Sequence, residues 1–95
     1  MIVQSEPAFG LGRLTATPGA LTALAEAEVQ IWMLASRHVA GDFGDVDDDD
    51  RRANEAAIRD GDRILSSYRL PTGVEIWLLT EADRSATTAL LPSEY

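Results

Sequence analysis

The chain has no cysteine, which removes disulfides, thiolate nucleophiles and sulfur-ligated zinc together. It has no lysine either, and all eight of its bases are arginine. Its one histidine, His38, cannot make a histidine-rich metal site, and there is no HExxH pair. No apolar run approaches the ~20 residues of a membrane span, and Met1 to Gly10 lacks the basic and long apolar regions of a secretion signal. A cytoplasmic location without membrane contact is therefore expected. Phosphate loops, GxSxG elbows and dinucleotide fingerprints are all missing, so neither a cofactor nor a metal is expected.

What is there is enough for a core. The 95 residues are 45% apolar and 25% charged, a balance that sets the chain apart from disordered acidic proteins. One α+β domain over residues 1–95 is expected, with residues 1–8 flexible. The net charge is −8, and the acidity is local. Six of the sixteen acids, Asp42, Asp45, Asp47, Asp48, Asp49 and Asp50, fall within nine residues, and elsewhere ten acids face eight bases. A broad basic surface for nucleic acid has little material.

Local chemistry then predicts the elements. Alternation over Phe9 to Ala16 reads as a strand. In Thr17-Pro18-Gly19-Ala20, Thr17 can accept a bond from an exposed amide and Pro18 wastes none, so a helix should start at Pro18. Leu21, Leu24 and Ala25 share a face, and Val29 to Val39 is densely apolar, so much of this stretch, Trp32 included, should be buried. The segment is one helix to Ala40, or two with a kink near Glu28, and Gly41 ends it. Gly41-Asp42-Phe43-Gly44-Asp45 reads as a loop anchored by Phe43. Asp47 to Asp50 place negative charge at the start of another helix, with Ala53, Ala56 and Ala57 as a small packing face and Gly61 as the stop. From Arg63 the period becomes two: Ile64, Ser66, Tyr68 and Leu70 alternate with Arg63, Leu65, Ser67 and Arg69, Pro71-Thr72-Gly73 turns the chain, and Val74, Ile76, Leu78 and Thr80 alternate with Glu75, Trp77 and Leu79. Trp77 should be buried on this sheet. A second turn at Glu81 to Arg84 leads to a strand over Ser85 to Leu91, stopped by Pro92. The predicted order is an N-terminal strand, two or three helices, then a three-stranded antiparallel meander.

Three features carry chemistry. Asp45, Asp47 and Asp49 match the first alternating ligands of a calcium loop, but Asp50 stands where its glycine is required and Ala56 where its glutamate is required. The run is then a solvated helix cap or a contact surface for a basic partner. His38 at a helix end is structural, or functional as an acid or base. Thr80 to Thr88 is the densest run of hydrogen-bonding groups: a ligand-facing turn, or one in which Asp83 and Ser85 cap backbone groups and Arg84 pairs with Glu81.

Leu11-Gly12-Arg13, Ala16-Thr17-Pro18-Gly19-Ala20-Leu21, Arg37-His38, Gly41 to Asp45, Asn54, Ile64 to Tyr68, Thr80 to Ser85 and Leu91-Pro92-Ser93-Glu94-Tyr95 together resemble a family of short bacterial proteins of plasmids and integrated mobile elements. These are labelled plasmid-related protein or type I restriction endonuclease subunit M. The second label does not suit a chain this short, which lacks a cofactor-binding motif. Phe43 replaces a usual tryptophan, and the usual Gly and Pro break is missing near Glu28 to Ile31.

Two functional expectations follow. In the first, the resemblance implies an accessory protein of a mobile element. It would bind a host or element-encoded protein, one with a basic nucleic-acid groove, and inhibit a host defence complex without touching nucleic acid itself. Its contact residues would be Asp42, Asp45, Asp47, Asp48, Asp49, Asp50, Glu81, Asp83 and Arg84. In the second, the element order is similar to metal-independent ribonuclease toxins of the barnase and RelE kind, with His38, Arg84 and Thr88 as acid, base and phosphate-stabilising groups. The negative charge favours the first.

Overall fold

Thr17 begins the first helix as its chemistry requires: its Oγ1 accepts from the Ala20 amide at 3.1 Å, with Pro18 at the first helical position. A computed structural model describes residues 7–95. The elements are strand β1 (Arg13–Ala16), helices α1 (Pro18–Ala27), α2 (Ile31–Val39) and α3 (Asp48–Asp60), strands β2 (Ile64–Arg69), β3 (Glu75–Thr80) and β4 (Ala86–Leu90), and a closing 3-10 turn, Pro92–Glu94. The expected flexibility of residues 1–8 falls mostly on 1–6, outside the described residues. The Ala8 amide already donates to the Val39 carbonyl at 2.7 Å.

The helical segment is two helices. Glu28 adopts the left-handed conformation, φ 57°, and the Val29 and Glu28 amides bond back to Leu24 and Ala25. This termination motif usually employs glycine. The third helix starts at Asp47, whose carboxylate accepts the Asp50 amide at 2.7 Å, and stops at Gly61, φ 78°.

The meander is present but is not the whole sheet. Strands β2, β3 and β4 run antiparallel, and β1 adds a fourth strand parallel to β4, giving the order β1-β4-β3-β2. The first strand is also shorter than predicted. Gly12 has φ +63° and lies so tightly against the Arg84–Ser85 backbone that any side chain would clash, while Phe9 turns away to meet His38 edge-on at 5.0 Å.

One sheet face carries Leu14, Ala16, Tyr68, Ile76, Leu78 and Ala89 against Ala20, Ala23 and Leu24 of α1 and Leu34 and Ala35 of α2. A second cluster, Phe9, Phe43, Ala57 and Ile64, lies under α3 beside β2. Two expectations about the core fail. Trp32 is 62% exposed, with Met33 beside it on the surface, because α2 spans only nine residues and turns Leu34, Ala35 and His38 inward, while α1 turns Ala20, Ala23 and Leu24 inward and leaves Leu21 exposed. Trp77 is half-buried rather than buried, because its face of the sheet has no helix layer. Among the described residues, no helix is long and apolar enough to cross a membrane.

Candidate functional site

The outer edge of β2 is covered by a side chain at Leu65 and by a loop at Ser67. The Asn54 amide pairs with Leu65 as a neighbouring strand would: Nδ2 donates to the Leu65 carbonyl at 2.7 Å and Oδ1 accepts its amide at 3.1 Å. One step along, Ser67 donates to the Phe43 carbonyl at 3.0 Å and accepts from the Asp45 amide at 2.7 Å. That approach needs Gly44, φ +72°, because a side chain there would strike the Ser67 carbonyl and the Tyr68 ring. Asp42 holds the loop. It takes a forked bond from Arg37, at 2.7 and 3.3 Å, and one from the Gly44 amide at 3.2 Å, while Tyr68 donates to its carbonyl at 2.6 Å. The Arg37 bond, aided by the Gly44 amide, holds the Asp42 carboxyl below the usual carboxylate range. Burial pushes the Tyr68 hydroxyl up to about 12.

Pinning this loop to β2 creates a groove of about 230 Å³. Asp45, Val46, Asp47 and Asp50 form one wall, and Leu65, Ser67, Glu75 and Trp77 the sheet side. Glu75 is oriented by Ser67 Oγ and by Trp77 Nε1, the latter at 3.3 Å. Those bonds, the Ser67 one first, hold its carboxyl below the ordinary range. The indole is steadied edge-on by Tyr95, centroids 5.5 Å apart. Asp48 and Asp49 instead pair with Arg51 and Arg52, at 2.9 and 3.5 Å, on the outer side of α3. Among the described residues, Asp45, Asp47, Asp50 and Glu75 have no ion-pair partner. No three acids or histidines among the described residues converge as metal ligands.

The other predicted residues lie elsewhere. His38 is fully buried, with Nδ1 2.5 Å from Ser66 Oγ and Nε2 2.8 Å from Thr80 Oγ1. Thr80 Oγ1 meets Thr87 Oγ1 at 2.7 Å, and Thr87 donates to the Leu11 carbonyl at 2.8 Å. That carbonyl can only accept, so Thr87 spends its proton there and accepts from Thr80, and Thr80 accepts from His38 Nε2. Burial beside hydroxyls alone keeps the ring neutral, and a neutral ring with its proton on Nε2 accepts at Nδ1 from Ser66. Desolvation lowers its pKa from 6.5 to about 4.

Arg84 does not pair with the Glu81 carboxylate. At φ +61°, its guanidinium donates to the carbonyls of Asp62 (2.6 Å), Ala82 (3.1 Å), Glu81 (3.2 Å) and Ala57 (2.8 Å), tying the end of α3 to the β3–β4 turn. Asp83 caps the Ser85 amide at 2.9 Å, as the local reading of that turn expected. Thr88 bonds Thr15 at 2.9 Å on the sheet face opposite His38. His38, Arg84 and Thr88 therefore do not share a site. The Glu81 to Arg84 turn lies beyond the far end of β3 from Glu75, about 20 Å along the strand at ~3.3 Å per residue. The groove thus unites Asp45, Asp47 and Asp50, and adds Glu75 and Trp77, which sequence reasoning missed. Their one sequence signal is that Glu75 and Trp77 share a sheet face at i, i+2.

Compared with known proteins, the chain matches no family model, no curated protein and no solved structure. Two larger concavities flank α1, one lined by Leu21, Leu24, Val29 and Ile31 and the other by Ala23, Val74 and Leu91. Each has a single carboxylate in its lining, so the convergent polar groups lie in the groove.

Proposed function

We propose that the chain is a non-enzymatic accessory protein of a mobile element, and that its acidic groove receives basic side chains of a partner protein. The partner fitting this chemistry is one with a basic nucleic-acid groove, such as a host defence complex, for which the carboxylates compete with phosphate. The observation that carries the reading is the arrangement around the Trp77 indole of four carboxylates that have no ion-pair partner among the described residues. An arginine there meets an aromatic face, worth about 0.5–2 kcal/mol, and carboxylates worth about 0.2–1 kcal/mol each at an exposed site. The fields of those carboxylates also speed encounter at low salt.

The test uses a Trp32→Phe background, so that emission reports Trp77. Titration with an arginine-rich peptide should give saturable, salt-sensitive quenching. Asp45→Asn with Asp50→Asn should weaken it about tenfold, equivalent to ~1.4 kcal/mol. Asp48→Asn with Asp49→Asn should leave it nearly unchanged, since those acids already face Arg51 and Arg52. Equal binding by both double variants would remove the groove as the site. The same pair of variants, added to a DNA-bound defence complex from the host, should separate in their power to displace DNA.

A further inference from the structure

The two edges of the sheet are treated differently. At β2, Asn54 and the Phe43 to Asp45 loop take the outward backbone groups of Leu65 and Ser67. At β1, the Arg13 amide bonds Ser85 and the Thr17 amide bonds Ala89. Arg13, Thr15 and Thr17 therefore face β4, and the amides and carbonyls of Leu14 and Ala16 point outward. Among the described residues nothing bonds to them. The backbone stays extended through Thr17, at φ −70° and ψ 157°, so the bare edge is long enough to take another strand.

We propose that this edge pairs with a second copy of the chain, β1 against β1, antiparallel, about a two-fold axis through Thr15. The register follows from which groups face outward. Leu14 exchanges both backbone bonds with Ala16 of the second copy, and Ala16 with its Leu14, giving four bonds. Thr15 then faces Thr15, and Arg13 faces Thr17, in the closer non-hydrogen-bonded pairs. Charge complementarity selects a second copy as the occupant. Arg13 is exposed and has no ion-pair partner among the described residues. Thr17 donates its hydroxyl to Glu94 at 2.7 Å, and Glu94 also accepts the Leu91 amide at 2.7 Å. Pairing Arg13 with Thr17 across the axis brings each guanidinium to the other copy's Glu94, and the symmetry makes this contact twice. Thr15, already bonded to Thr88, adds a threonine pair of a kind that stabilises antiparallel strands.

The net charge of −8 does not forbid this pairing. The groove acids sit by β2, three strand spacings or about 14 Å from β1, beyond the ~8–10 Å screening length of physiological salt. The eight-stranded sheet carries both acidic grooves on one face, with the two β2 strands about 34 Å apart at ~4.8 Å per spacing.

The experiment is sedimentation equilibrium of the full chain over about a hundredfold concentration range, since mass action sets the dimer fraction. Mass should rise from one chain toward two. Arg13→Glu alone and Glu94→Arg alone should each stay monomeric, because each places like charges across the axis. An equimolar mixture of the two variants should recover the dimer, because every contact across the axis is then of opposite sign. Thermal melting of each variant shows whether it folds, and recovery on mixing cannot come from unfolded chains. Hydrogen exchange of the Leu14 and Ala16 amides should be fast in dilute protein and slow in concentrated protein. A chain monomeric at every concentration would overturn the proposal. So would a dimer indifferent to both reversals, or amides equally protected at all concentrations, as they would be if the chain covered its own edge.

Discussion

Lowering the pH from 7.5 to 5 should cost this protein about 2 kcal/mol through one side chain. His38 is fully buried between Ser66 and Thr80, and the edges of Phe9 and Phe43 close the space around it. Its bonding partners are hydroxyls, so no carboxylate compensates a positive ring. The folded-state pKa is about 4 against 6.5 when exposed. Between those values the unfolded chain binds the proton and the folded chain does not, so stability is fully present above pH 6.5 and declines as pH falls toward 4. At 1.36 kcal/mol per pH unit the full effect is about 3 kcal/mol, of which about 2 is lost by pH 5. A chain of this size has a stability of roughly 5–14 kcal/mol. With a urea slope near 1 kcal/mol/M for a small domain, the midpoint should move down by about 2 M. His38 is the only histidine, so its ring carbon proton gives one unambiguous NMR titration. A native pKa near 6.5, or a urea midpoint flat from pH 7.5 to 5, would refute the reasoning.

Two other substitutions examine the frame. Asn54→Ala leaves both the amide and the carbonyl of Leu65 without partners at a part-buried edge, and should lower stability by about 2–3 kcal/mol in chemical denaturation. Glu28→Gly relieves a left-handed conformation that costs an L-residue about 1–2 kcal/mol. After the greater freedom of glycine in the unfolded chain is set against this, it should raise stability by about 0.5–1 kcal/mol, a melting-temperature gain of a few degrees.

The legible parts of the fold were those written in adjacent residues. Thr17-Pro18 declares a helix start, Gly61 a helix stop, and Pro71-Thr72-Gly73 a turn that closes with the Gly73 amide on Leu70 at 2.8 Å. The place of β1 was not legible, because its partners lie more than seventy residues away and a parallel neighbour leaves no turn between the strands. Density of apolar residues misled the reading of α2: a nine-residue helix resting on a sheet needs one narrow inward stripe, and Trp32 falls outside it. The acids of the groove stood out as a cluster. Which of them face the same way did not, since Asp47 and Asp50 are separated from Asp48 and Asp49 by helical rotation, and Glu75 and Trp77 join them only when α3 docks beside β2. The carbonyls that hold Arg84 were not legible at all, because a sequence displays carboxylates and hides carbonyls.

Sealing one side of a sheet and leaving the other bare also decides how far such molecules can add to one another. A sheet with two bare edges is a monomer in the polymer sense, able to grow from both ends into a ribbon. In the proposed dimer the union consumes the edge of β1 that is bare among the described residues, and the next edge met is that of β2, where the Asn54 amide mimics a neighbouring strand but cannot be extended. Growth by that pairing would stop at two. Asn54 at Leu65 and the Phe43 to Asp45 loop at Ser67 would together act as the terminator of that assembly.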